Sequence, residues 1–204
     1  MLTIKGSAET EIVIKKSRFL GLACRAESEE EAQRVLEQRR KQHYNARHHC
    51  YAYSLATGVM RCSDDGEPQG TAGVPMLEVL GRMGLTDVVV VSTRYFGGTL
   101  LGAGGLVRAY SQSAADTLAA ARKVKRMECG VFRCKFEFPT WARVQSALAS
   151  QGFTPCDIQY TDTISAEYCV LPDGGDAFIQ AVIHLTQGRV SPENLGLRVV
   201  EQDA

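Results

Sequence analysis

Four consecutive valines, Val88-Val-Val-Val91, constrain this chain more than any other feature. Side chains alternate between the two faces of a strand, so a run that is apolar at every position has to be covered on both. Three helical segments are at hand in the same half of the chain. Ser28-Glu-Glu-Glu31 is a capping box, and Ala32, Val35 and Leu36 follow at helical spacing. Arg39, Arg40 and Lys41 complement the dipole of that helix near its end at Gln42. Pro75 is placed to open a second helix with Leu77, Leu80 and Met83 inward. A third runs from Leu106 to about Ala121, with Leu106, Ala109, Tyr110, Ser113, Thr117 and Leu118 inward. Thr10–Ile14 and Phe19–Cys24 read as strands joined by a turn at Lys15-Lys16-Ser17, and Cys50–Ala56 reads as another strand.

A boundary falls at Arg122-Lys-Val-Lys-Arg126, giving expected domains 1–125 and 126–204. Past it the order is strand (Cys129–Phe138), helix (Thr140–Gln151), strand (Cys156–Tyr160), strand (Ile164–Leu171), helix (Gly174–Thr186) and strand (Leu197–Glu201). This β-α-β-β-α-β order is the ferredoxin-like plan. Trp141, Val144 and Leu148 face inward in its first helix, and Gly152 is placed to cap it. Phe178, Ala181, Val182 and Leu185 form the stripe of its second, with Asp173 as the expected N-cap. The fold class is therefore α+β. The net charge is zero, yet residues 1–125 hold 17 Lys+Arg against 13 Asp+Glu while residues 126–204 hold 6 against 10. A basic first half permits an anionic partner there, although random surface charge reads as well.

Two glycine loops carry most of the polar signal. In Ser63-Asp-Asp-Gly-Glu-Pro-Gln-Gly-Thr-Ala-Gly-Val-Pro75, the acids Asp64, Asp65 and Glu67 could hold a hard cation such as Mg²⁺. They could equally accept backbone N–H groups or an Arg and so fix the loop. Spacing favours the rigid turn, because the ligand order does not match an EF-hand. The backbone at Gly70 and Thr71, leading into a helix, is a candidate anion pocket. The second loop, Arg94-Tyr-Phe-Gly-Gly98 through Gly102-Ala-Gly-Gly-Leu106 to Arg108, follows the valine strand. In an open α/β unit the ends of strands are where ligands bind. Gly97, Gly98, Gly104 and Gly105 allow close approach to phosphate, Arg94 and Arg108 could contact it, and Tyr95 and Phe96 could stack on a base. For Phe96 alone, a place in the core is the stronger reading. The loop is neither a Walker loop nor a Rossmann fingerprint.

In Arg47-His-His-Cys-Tyr-Ala-Tyr53, His48 and His49 point opposite ways on a strand and cannot readily share a metal. A Cys50–His dyad ranks below a buried thiol beside a hydrogen-bonded histidine. The seven cysteines are odd in number, scattered and without C-x-x-C, which speaks against a disulfide framework or zinc cluster. Most read as small buried hydrophobes, and Cys62 is the one thiol that could be exposed and reactive, though no motif shows it. No apolar run reaches the roughly 20 residues a bilayer requires, and Met1–Gly6 has no signal-peptide core, so a cytoplasmic protein away from membranes is expected.

Three stretches together resemble the signature of the Impact family, in particular its bacterial YigZ-like branch. They are Ala46–Tyr53, Asp64–Pro75 and Arg94–Tyr110, in matching order and separation. The resemblance spans essentially the whole chain. It implies a first domain with the ribosomal protein S5 domain 2-like fold and a pair of domains similar to the last two of elongation factor G. Eukaryotic relatives carry a further N-terminal module and restrain the kinase pathway that slows translation in amino-acid starvation. It establishes no catalytic residues, and Leu100 stands where relatives commonly have Lys.

The expectation is a non-enzymatic protein that binds RNA or the ribosome and regulates translation, with a translation-related protein as a further partner. Its RNA or phosphate contacts would come from Arg47, His48, Gly70, Thr71, Arg94, Tyr95, Gly97, Gly98, Gly104, Gly105 and Arg108. No cofactor is expected unless Mg²⁺ sits on the three acids. The alternatives are a Mg²⁺-dependent enzyme acting on a nucleotide or phosphate ester, and a protein-interaction module using the acidic second domain.

Overall fold

In a computed structural model that describes residues 1–204, the valines lie in the central strand of a five-stranded sheet. This sheet belongs to the first of two compact units, Met1–Lys125 with Asp203–Ala204. The elements of that unit are β1 (Leu2–Lys5), β2 (Ser7–Ile14), β3 (Ser17–Arg25), α1 (Glu29–Gln42), β4 (His48–Ser54), β5 (Met60–Ser63), α2 (Gly73–Arg82), β6 (Val88–Tyr95) and α3 (Ala103–Ala120). The sheet order is β2-β3-β6-β4-β5. Val88 and Val90 enter a core shared with Met76 and Leu80 of α2 and Tyr110 and Leu118 of α3. Val89 and Val91 enter a second core with Ala32 and Leu36 of α1 and Tyr53. The valine run is thus covered on both faces.

Every pairing in this sheet is antiparallel. The ligand rule for parallel α/β sheets, which motivated the second loop as a site, therefore does not apply. What gathers the loops is register. His48 at the start of β4 pairs with Arg94, and Arg18 at the start of β3 pairs with Tyr95 at the end of β6. One end of three adjacent strands thereby presents Arg47, His48, Arg94 and the β2–β3 turn together. That turn is two residues long: Ile14 pairs with Ser17, and Lys15 and Lys16 have φ of 45° and 67°. Both central residues of a type I′ hairpin need positive φ, here without glycine.

The capping box at α1 forms. Ser28 Oγ accepts the Glu31 N–H at 3.3 Å, while the Glu31 carboxylate reaches back to the Glu27 N–H at 2.8 Å. Helix α2 starts at Gly73, two residues before Pro75, and buries Met76, Val79 and Leu80, leaving Leu77 and Met83 partly covered. Stripes one residue apart fit a 3.6-residue period almost equally well, and packing against β4 and α3 selects Met76. Strands β1 and β5 are too short for periodicity to mark. The first pairs with Arg122–Lys125 and the second with Tyr51–Ser54.

The second unit, Arg126–Gln202, holds the rest of β7 (Arg122–Phe136), then α4 (Phe138–Ser150), β8 (Pro155–Tyr160), β9 (Ile164–Val170), α5 (Gly175–Thr186) and most of β10 (Glu193–Asp203). Its strands run β10-β7-β9-β8, the arrangement of a β-α-β-β-α-β unit. Trp141, Val144, Leu148, Phe178 and Val182 fill its core, while Ala181 and Leu185 are only partly covered. Gly152 lies just past α4 with φ of 87°. Asp173 is not the N-cap of α5: a 3-10 turn at Pro172–Gly174 precedes that helix and Gly174 takes the cap position. Cys50, Cys129 and Cys134 are buried, Cys24, Cys62 and Cys169 half-buried, and Cys156 is exposed. Burial raises the pKa of the half-buried Cys62 thiol, which speaks against an open reactive cysteine there. No helix is long and apolar enough to cross a membrane.

A Cβ on Gly97 would strike the backbone of Lys16 and Ser17, whereas one on Gly104 meets nothing. Gly97→Ala is therefore expected to lower stability by about 1–3 kcal/mol. Gly104→Ala, inside α3, should raise it by about 0.5–1 kcal/mol. Urea denaturation of the two variants checks the contrast.

Candidate functional site

The loop from Ser63 to Ala72 is held by its own acids. The Asp64 carboxylate accepts three backbone N–H groups, from Gly70 at 2.8 Å, Ala72 at 2.9 Å and Gly73 at 2.8 Å. These are the donors at the start of α2 that sequence reasoning offered to phosphate. Burial alone would raise the Asp64 pKa, but the three donors outweigh it and hold the carboxyl below its ordinary value. Thr71 is buried and its hydroxyl donates to the Pro68 carbonyl at 2.6 Å. Gly70 and Thr71 thus serve the loop's own scaffold.

Asp65, at φ of 41°, accepts from Arg40 at 2.8 Å and from the His49 N–H at 2.7 Å, one on each carboxylate oxygen. Its carbonyl meets His48 Nδ1 at 2.9 Å. A carbonyl only accepts, so Nδ1 carries the proton and His48 Nε2 is left as the acceptor in the neutral ring. Glu67 Oε1 receives Arg94 at 2.7 Å and the Tyr110 hydroxyl at 2.8 Å. The Glu67 and Arg94 side chains are 4% and 6% exposed. The Cys50 thiol donates to the Asp64 carbonyl at 3.0 Å, and burial drives its pKa far up, which removes it as a nucleophile. His49 is buried against Thr93 and its pKa is lowered by that burial.

Against this frame lies an open cleft of about 360 Å³. Arg47, His48, Glu67 and Arg94 form one side, and Phe96, Leu100, Leu101 and Leu106 give it an apolar wall at the start of α3. Phe96 is 52% exposed and Leu100 82%, so Phe96 is not in the core. Arg47 is exposed. The Arg94 guanidinium also reaches Ser17 Oγ at 3.3 Å and lies over the rings of Phe19 and Phe96, yet its Nε–H is buried with no acceptor in the protein.

The remaining residues singled out in the sequence divide. Tyr95 lines a smaller adjoining cavity with Asn45, Arg47, Arg94 and Phe96, and its hydroxyl lies 3.0 Å from both His43 Nδ1 and Asn45 Oδ1. Gly97 is fixed by the β2–β3 turn, its N–H donated to Ser17 Oγ at 3.1 Å. Gly98 has φ of 82°, and Gly104 and Gly105 are in the first turn of α3. Arg108 is exposed on that helix, away from the cleft lining. Sequence reasoning missed Ser17, which the β3–β6 register brings beside Arg94, and Leu101 and Leu106, apolar residues whose place on the cleft wall the loop and the start of α3 decide.

Asp64→Ala is expected to cost about 2–4 kcal/mol, since it strands several N–H groups at once. The depressed carboxyl adds a pH signature. Its stabilisation is complete above the unfolded pKa of about 3.9 and is lost as pH falls through the lower folded value. Denaturation midpoints against pH should therefore fall less steeply on the acid side for Asp64→Asn than for the parent. Glu67→Gln leaves Arg94 as an uncompensated buried charge and should cost about 3–5 kcal/mol in the same assay.

The Impact N-terminal domain family matches residues 15–118, and a domain of unknown function (DUF1949) matches residues 134–189. The IMPACT family member YvyE of Bacillus subtilis is 39% identical over 92% of this chain and 87% of its own length. An IMPACT family member of Thermus thermophilus is 38% identical over 87% of this chain and 98% of its own. A crystal structure of a hypothetical protein, 27% identical, aligns over 94% of this chain and 95% of that one with a TM-score of 0.62.

Proposed function

This chain belongs to the Impact family, and on that premise we propose that it is a cytoplasmic RNA- or ribosome-binding protein that modulates translation. The observation that carries the reading is the cleft beside α3, where cationic and exposed apolar side chains share one rim. An unpaired nucleotide has the same two characters. Its base can lie on Phe96 and Leu100 while its phosphate meets Arg47 and the uncapped N–H groups at the start of α3. Leu100 adds an apolar, 82% exposed side chain to that rim.

The three acids bear on the phosphate-ester enzyme reading. Asp64 and Asp65 commit both carboxylate oxygens to donors of the protein, and Glu67 commits Oε1. Their geometry serves loop fixation, which favours binding over metal-assisted chemistry.

Electrostatic binding of this class has Kd of roughly 10⁻⁴–10⁻⁶ M and weakens steeply with salt. The test is binding to ribosomes and to single-stranded RNA across a salt series. Arg47→Ala should reduce the log–log salt slope by roughly 0.7, and Phe96→Ala should cost about 1–3 kcal/mol at every salt concentration. Arg94 is a poor target because its loss unbalances Glu67. Binding that ignores salt, or that both variants leave intact, would sink the proposal.

A further inference from the structure

The second unit holds a pair of thiols that the RNA cleft does not use. Cys156 sits where the β8–β9 register shifts between Pro155 and Asp157. That irregularity brings its side chain to Cys169 on β9, and the two sulfurs are hydrogen-bonded 2.7 Å apart. Cys156 is exposed and Cys169 half-buried. A cavity of about 400 Å³ opens beside them, lined by Phe153, Cys169, Leu171, Asp173 and Gly174 among others. Arg198 of β10, held by Glu167 at 3.1 Å, acts on both sulfurs with its positive charge. Thiol exchange needs access, which the exposed Cys156 and the cavity beside Cys169 provide.

We propose that Cys156 and Cys169 form a dithiol–disulfide redox site that exchanges with low-molecular-weight disulfides of the glutathione class. Cys169, on the cavity wall, attacks first. Its thiolate displaces one small thiolate and forms a mixed disulfide. Cys156 then attacks the Cys169 sulfur, the second small thiolate leaves, and the Cys156–Cys169 bond closes. Two protein thiols are oxidised, one small disulfide is reduced to two small thiols, and the two cysteine protons end on the leaving groups. The order of attack follows from the surroundings. Cys169 lines the cavity, whereas the Cys156 thiol donates to the Glu167 carbonyl at 3.3 Å, and burial and then the neighbouring thiol hold its pKa up at about 11. Cys50 and Cys134 are buried thiols whose pKa values burial raises, and they make inert internal references.

The experiment equilibrates the full-length reduced chain with glutathione buffers of graded oxidised-to-reduced ratio, then alkylates free thiols and maps them by peptide mass. The expected product is a single internal disulfide joining the peptides of Cys156 and Cys169, while Cys50 and Cys134 remain alkylated. In Cys156→Ser the glutathione adduct should accumulate on Cys169. In Cys169→Ser, Cys156 should take up glutathione at least about tenfold more slowly. Full alkylation of both cysteines at the most oxidising ratio overturns the proposal. So does an adduct forming equally fast on Cys156 in Cys169→Ser. Serine keeps the size of cysteine, and the parent chain alone decides whether the bond forms.

Discussion

Three segments far apart in sequence converge on one oxygen atom, Oε1 of Glu67. The acid comes from the loop before α2, Arg94 from the end of β6 and Tyr110 from the middle of α3. Arg94 extends the junction to Ser17 and so to the β2–β3 hairpin. A buried ion pair contributes little net stability, because removing both charges from water costs about as much as their attraction returns. Its effect here is on geometry. Once the acid and the guanidinium are enclosed, no rearrangement of the loops can separate them without leaving a naked charge inside. The cleft keeps its shape because its floor is made of groups that have nowhere else to go.

The way each part of the chain could be read reflects how local its cause is. The valine run, the Ser28 cap and the Lys15-Lys16 turn each carry their structure within a few residues, and each formed as the sequence indicated. The inner stripe of α2 was displaced by one position, since two adjacent stripes fit the period and only the neighbouring elements distinguish them. The start of α5 moved for a different reason: Pro172 favours a tight 3-10 turn, which takes Asp173 out of the cap position.

The site was legible as a set of loops but not as a set of roles. Nothing in the order Asp64-Asp-Gly-Glu67 says which way a carboxylate turns. The glycine-spaced N–H groups before α2 do make an anion pocket, and the anion in it is the side chain of Asp64. Phe96 looked like core because it is aromatic and follows a buried strand. It is exposed because β6 ends at Tyr95 and the chain leaves the sheet there. Arg47, one residue before β4, drew notice only as part of a motif, yet the antiparallel register places it on the rim. Pairing across strands is a long-range fact that no window of the sequence contains.

The self-satisfied loop has a consequence for timing. A binding surface that must be ordered by its ligand loses affinity to that ordering and is often slow to engage. Here the backbone of the Asp64–Gly73 loop is already tied down by internal hydrogen bonds, so that part of the cleft needs no ligand to order it. On the proposed function, encounter and recognition would be nearly the same event, with the lifetime of a complex set by the rim side chains and the N–H groups at the start of α3.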